Sequence, residues 1–270
     1  EEQWGLASYF VRANYAYKDR YYASASILAD GSSRFAANNR FGYFPAASVA
    51  WRISQEPFFS KNGSVDELKL RASFGANGNQ NVGVYDRFST YGTGYNYSNY
   101  TGDGSVAGGI APQTIGNPNL KWETTYQYDL GADLGLFNNR VTVTADVYLK
   151  RTKDLLTQVP LSYSSGAEAS GSNATIVENL GQIQNKGFEL GINTININST
   201  SGFKWNTEFN FSLNRNKILD LGTLVDETGK TVDRQIIGDY SINEKGQPLG
   251  SFYGYVVKGI FQTQQQIDNA

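Results

Sequence analysis

The 270-residue chain contains no cysteine, no histidine and no methionine, and only 6 prolines. Without cysteine there is no disulfide framework and no thiolate nucleophile. Without histidine, the commonest zinc ligand and the general base of serine hydrolases are both missing. No apolar run reaches the roughly 18 residues that mark a transmembrane helix, and mean hydropathy is −0.43. A transmembrane barrel escapes that exclusion, because its strands send only every second side chain to lipid. A net charge of −2 and an isoelectric point near 5.3 argue against a basic surface, so no nucleic-acid partner is expected. The chain opens Glu1-Glu2-Gln3-Trp4 with neither an initiator methionine nor a signal peptide. A mature product or an internal piece of a longer protein is the expectation.

What is plentiful is glycine (29), tyrosine (18) and phenylalanine (15), set in long stretches of alternating polar and apolar residues. The alternation predicts strands near 5–17, 21–30, 46–54, 67–77, 121–135, 140–152, 186–197 and 203–216. The pattern is cleanest where Tyr126, Tyr128, Leu130, Ala132 and Leu134 oppose Gln127, Asp129 and Asp133. It recurs where Val141, Val143, Ala145, Val147 and Leu149 oppose Thr142, Thr144, Asp146 and Lys150. Each such strand has one apolar and one wet face. The connections between them are 3, 15, 12, 43, 4, 33 and 5 residues long, so short and long links take turns around one awkward middle case. Soluble sheets have no reason to sort connector lengths by end. Outer-membrane barrels do, with tight periplasmic turns and extended extracellular loops.

Strand length points the same way. A 12-residue strand is about 40 Å long, and tilted by ~40° it rises about 30 Å, enough to cross an apolar band of about 25 Å. Tyr15, Tyr17, Tyr21, Tyr22 and Phe137 flank predicted turns, as an interfacial girdle would place them; the plainer reading is that tyrosine favours strands anyway. The expected fold is therefore all-β, an antiparallel transmembrane barrel with about eight strands present. An open sheet edge in lipid leaves backbone groups unpaired at several kcal/mol each, so these strands are expected to be a fragment of a larger barrel. Residues 1–216 read as partial barrel with long extracellular loops, and 217–270 as the start of a long extracellular segment. A multi-pass barrel in the bacterial outer membrane has lipid as its first partner.

Several loop and strand motifs carry a family resemblance. They are Asp30-Gly-Ser-Ser-Arg-Phe35, Phe44-Pro45, Ser48-Val-Ala-Trp51-Arg-Ile-Ser54, Leu70-Arg-Ala-Ser-Phe-Gly75 and Gly116-Asn-Pro-Asn-Leu-Lys-Trp-Glu-Thr124. Further along come Asp146-Val-Tyr-Leu-Lys-Arg-Thr-Lys-Asp-Leu-Leu156, Asn185-Lys-Gly-Phe-Glu189, and Pro248-Leu-Gly-Ser-Phe-Tyr-Gly-Tyr255 with Gly259-Ile-Phe261. Together, and in this order, they resemble the SusC/RagA family of TonB-dependent outer-membrane transporters of Bacteroidota. The resemblance implies a barrel of about 22 strands, closed by a plug domain that this chain lacks. It also implies a SusD-like surface lipoprotein as lid, coupling to TonB through the plug, and import of oligosaccharides or peptides.

No enzyme is expected. Asp129, Asp133 and Asp146 lie on wet strand faces, where a polar lumen explains them more simply than glycosidase chemistry. Gly75-Ala-Asn-Gly-Asn79 lacks the Lys-Ser and the following helix of a phosphate loop. No metal or cofactor site is expected. The one candidate contact surface is the loop Tyr91-Gly-Thr-Gly-Tyr95-Asn-Tyr97-Ser-Asn-Tyr100, whose four tyrosines could stack on sugar or pack on a lid. The alternative is that they pack on neighbouring loops. Two other functions compete: a TonB-dependent siderophore or metal-chelate receptor, and, from a different class, a secreted adhesive β-sandwich.

Overall fold

The computed structural model describes residues 2–60, 64–98, 106–161, 168–169, 172–173, 175–200, 202–226, 228–238, 240–257 and 259–268. Eight long strands form one continuous antiparallel sheet: β1 (Leu6–Tyr17), β2 (Tyr21–Ser32), β3 (Phe41–Arg52), β4 (Val65–Asn79), β5 (Glu123–Leu136), β6 (Val141–Lys153), β7 (Gln182–Asn198) and β8 (Lys204–Asp220). Their spatial order is their chain order, the up-and-down meander of a barrel wall. The predicted all-β class and strand number hold. Among the described residues no helix is long and apolar enough to cross a membrane, which says nothing of strands.

The turns explain the register. Lys18 and Asp19 both adopt positive φ (52° and 57°), and Arg20 N–H donates to Tyr17 O at 3.0 Å. That is a type I′ turn, whose twist matches the strands it joins. Between β5 and β6 three consecutive residues, Phe137, Asn138 and Asn139, have positive φ (55°, 59° and 57°), and Arg140 N–H donates to Phe137 O at 3.3 Å; asparagine tolerates the left-handed region. The links 18–20, 53–64, 137–140 and 199–203 lie at one end of the sheet. The links 33–40, 80–122 and 154–181 lie at the other, where β8 also ends at Asp220. The middle-length link thus joins the short-turn end, where it begins with a 3-10 turn over Ile53–Gln55.

Several strands run further toward the loop-bearing end than alternation suggested. β3 begins at Phe41 instead of 46, β7 at Gln182 instead of 186, and β8 continues to Asp220 instead of 216. Pro45 is why the first of these was hidden, since a central strand rarely admits proline. Here β3 pairs with β2 from Phe41 on, but with β4 only from Ala46, opposite Gly75. On the β4 side of Pro45 there is no ladder bond to lose.

The register sorts the two faces. Leu130, Val147, Phe188 and Leu213 lie in one row across β5–β8, and Leu134, Val143, Ile192 and Phe209 in another. Val11, Val49, Leu130, Phe209 and Phe211 are all exposed on this apolar face. The opposite face carries an ion-pair network in which Arg71 bridges Asp133 and Asp146. Toward the short-turn end the apolar face is aromatic, with Tyr15, Tyr17, Tyr21, Trp51 and Trp205 exposed. Tyr22 does not join them. It faces the polar side, where its hydroxyl donates to Asp19, because Tyr21 and Tyr22 are adjacent in a strand and must point to opposite faces.

Candidate functional site

The loop-bearing end has its own small core. Phe35, Phe44, Val82, Leu120 and Trp122 are buried together, with Phe35 and Leu120 fully enclosed. Phe35 and Phe44 flank Trp122, with ring centroids 5.3 and 5.4 Å from it. Phe44 sits on the wet parity of β3, beside Ser48 and Arg52, so a large apolar side chain there breaks the strand's polar–apolar alternation although its burial follows the strand's pattern. The space for it comes from two glycines and a gap. Above Ala46 and Gly75 the ladder between β3 and β4 stops, and a Cβ at Gly78 or Gly42 would meet the Phe44 ring at 2.0 or 2.5 Å.

Polar side chains tie the three loops to this core. Arg34 Nη1 donates to Val82 O at 2.6 Å, and Arg87 Nη1 to Phe35 O at 3.1 Å. Trp122 Nε1 donates to Arg40 O at 3.0 Å. Asn179 Nδ2 donates to Lys121 O at 2.7 Å and to Asp154 O at 3.0 Å, while Asn117 Nδ2 reaches Val177 O at 3.0 Å. Lys121 Nζ and Asp154 Oδ1 lie 3.1 Å apart. The segments Asp30–Phe35, Phe44-Pro45 and Gly116–Thr124, far apart in the chain, thus meet at one end of the wall. Their shared work is to fix the bases of the long loops. Beyond β8, Asp226 accepts from the hydroxyl and N–H of Thr228 and from the N–H of Lys230, which holds its carboxyl below the usual carboxylate range.

From this platform a hairpin extends, Thr90–Ser98 paired with Val106–Thr114. It carries Tyr91, Tyr95 and Tyr97, whose register partners are Pro112, Gly109 and Ala107. Tyr91 is 66% exposed. The side chains of Tyr95 and Tyr97, and the whole of Tyr100, lie outside the described residues. The alternation-based reading gave this stretch as a loop; Gly92, Thr93 and Gly94 dilute the pattern and a register shift at Thr93/Tyr95 breaks it.

On the wet face, a shallow depression of about 540 Å³ is lined by Arg12, Ser24, Ser48, Ser73, Gln127 and Asp129 among others. It is rich in hydrogen-bond donors and acceptors. Among the described residues no three histidine, cysteine or acidic side chains converge as a metal site. The core residues at the loop end were missed by sequence reasoning, although Phe44 on a wet parity was a visible signal.

Residues 1–254 match the protein family described as TonB dependent receptor-like, beta-barrel. The chain is 37% identical over 262 residues to TonB-dependent receptor P3 of Formosa agariphila, covering 95% of this chain and 25% of that protein. It is 33% identical over 258 residues to TonB-dependent receptor SusC of Bacteroides thetaiotaomicron, covering 93% of this chain and 25% of SusC. The RagAB peptide transporter structure superposes with a TM-score of 0.75 at 29% identity, over 92% of this chain and 25% of that one. The chain therefore spans about a quarter of the relatives it matches. A continuous eight-strand meander, its connectors sorted by end, and a match over nearly its whole length make this chain part of an outer-membrane barrel wall: it belongs to the TonB-dependent receptor-like β-barrel family and is similar to the SusC/RagA transporters within it.

Proposed function

We propose that the chain is part of the wall of a TonB-dependent importer of oligosaccharides or peptides. The loop-bearing end faces outside the cell and the tight turns face the periplasm. Residues 1–216 are wall and loops, and 217–270 open a further extracellular segment. A plug domain elsewhere in the longer protein couples to TonB, a SusD-like lipoprotein closes the outer mouth, and the chain itself catalyses nothing. The observation that carries this reading is the buried platform of Phe35, Phe44 and Trp122, which anchors three loops at one end of a wall similar to those of SusC and RagAB.

Physical economy supports it. A wide barrel conducts solutes only when a plug moves, and fixed loop bases offer a lid a preorganised docking surface. Tyr91, Tyr95, Tyr97 and Tyr100 are the contact residues toward lid or ligand; tyrosine gives large contact area at low entropic cost. The full-length protein, purified in mild detergent, should bring down a surface lipoprotein, and deleting its gene should abolish growth on an oligosaccharide or peptide source. Purification without a lipoprotein, together with intact oligosaccharide and peptide uptake but failed uptake of an iron chelate, makes it a siderophore receptor instead. Orientation has its own test. Because these 270 residues hold no cysteine, an introduced one is distinguished by comparison with the unsubstituted full-length protein: Gly108→Cys should add reaction with an impermeant maleimide on intact cells and Asn138→Cys should not.

A further inference from the structure

On three adjacent strands the apolar face ends in cations. Along β8 the outward positions read Trp205, Thr207, Phe209, Phe211 and Leu213, then Arg215 and Lys217. Along β6 they end in Arg151 and Lys153, and on β7 Lys186 stands above Phe188 and Leu190. The register places Lys186 opposite Arg215, and Arg151 opposite Gln184, which is opposite Lys217. All five cations are exposed, and among the described residues none forms an ion pair.

The cluster is not a girdle. At the same end of β1–β5 the outward positions are Ala7, Gly31, Phe41, Gly78 and Thr124. Directly below the cations, on the same face, a groove of about 510 Å³ runs between Leu130, Val147, Phe188 and Leu213, with Lys186 and Arg215 at its rim. Apolar trough and cationic rim together have the shape and charge of one kind of molecule, an acyl chain below an anionic headgroup.

We propose that this arc of the wall is a binding site for the phosphorylated, multi-chain glycolipid of the outer leaflet, lipid A. An acyl chain lies in the groove of Leu130, Val147, Phe188 and Leu213. The phosphate meets Lys186 and Arg215, whose guanidinium offers a forked pair of donors. Arg151 and Lys217 extend the anionic contact sideways, one strand spacing of about 4.8 Å at a time. The inference rests on the proposed orientation, since only the outer leaflet supplies this lipid at the loop-bearing end, but not on import.

The test uses the full-length protein purified from its outer membrane, with mass spectrometry counting retained lipid A. Wild type should retain it through size exclusion. The double variant Lys186→Gln/Arg215→Gln should weaken binding about tenfold or more, at roughly 1 kcal/mol for each basic residue near an anionic surface. Lys150→Gln, at similar height on the wet face, should retain lipid as wild type does. Titration of the wild-type protein with lipid A, with its dephosphorylated form and with inorganic phosphate decides the matter even if the double variant fails to fold. Preference for intact lipid A over both supports the site. Equal binding of the dephosphorylated lipid, equal binding of free phosphate, or undiminished retention by a folded double variant overturns it. A wrong orientation is separately visible as maleimide labelling at Asn138→Cys instead of Gly108→Cys.

Discussion

Arg71 reaches Asp146 across an intervening strand because the residue between them in the register is Gly131. A Cβ there would stand 2.1 Å from Asp146 Oδ1 and 2.9 Å from Arg71 Nη2. Arg71 also makes a forked contact with Asp133, at 3.0 and 3.1 Å, so one guanidinium ties together β4, β5 and β6 on the wet face. Gly131→Ala should push Asp146 off this guanidinium while leaving the Asp133 fork in place. Both partners are about a quarter to a third exposed, so the lost pair is worth at most about 1 kcal/mol. Thermal unfolding of the detergent-solubilised full-length protein should show a small destabilisation in Gly131→Ala. Combining it with Asp146→Asn should add little; full additivity would mean that the two side chains do not share this contact.

The two faces should tolerate charge very differently. Val143 lies on the apolar face in the row of Leu134, Ile192 and Phe209, two residues into β6 from its short-turn end. Thr144, its neighbour, faces the other way, opposite Asp133 and Gly191. Leu130→Arg, at the middle of β5, should cost about 2–4 kcal/mol as a cation near the bilayer midplane, Val143→Arg less because it lies nearer the interface, and Thr144→Arg close to nothing. The readout is folded barrel per unit outer membrane, by heat-modifiable gel mobility. Equal tolerance on the two faces would remove the assignment of the apolar face to lipid.

At the short-turn end, Glu56 Oε1 accepts from Tyr21 Oη at 2.5 Å and from Trp51 Nε1 at 2.9 Å, with Arg20 Nη1 3.5 Å from Oε2. The Tyr21 hydrogen bond, aided by Trp51 and Arg20, holds the carboxyl below the usual carboxylate range. A depressed carboxylate pKa contributes stability above the unfolded-state value and loses it as pH falls through the folded one. Glu56→Gln should therefore be less heat-resistant than wild type at neutral pH. The gap should close as pH drops below the ordinary carboxylate range, where wild type is protonated too. A gap that stays constant with pH would assign the effect to packing alone.

The loop platform should fail separately from the wall. Trp122 packs between Phe35 and Phe44 and is 7% exposed, so Trp122→Ala should cost about 3–5 kcal/mol locally. Because the strand ladders do not depend on it, the barrel should still assemble. Loops 80–122 and 154–181 should then become cleavable by protease on intact cells at enzyme levels that spare wild type. Retained protection would mean that the hydrogen bonds of Arg34, Asn117 and Asn179 suffice without the aromatic core.

What the sequence determined by itself is the wall. Period-2 alternation over a dozen residues leaves one geometry that satisfies every backbone group in lipid, and tight turns such as 18–20 and 137–140 pin the register locally. Eight strands, their order and their faces were legible for that reason. The strand ends were not: Pro45 interrupts β3 where it pairs on one side only, and the polar run Gln182–Lys186 of β7, although paired on both sides, shows no alternation to announce it. Tertiary structure alone brought Phe35, Phe44 and Trp122 together, since residues from three separate segments share no local pattern that announces contact. It alone aligned Lys186 with Arg215 across two strands above a common groove, because register between strands, and not spacing along one, decides which charges are neighbours.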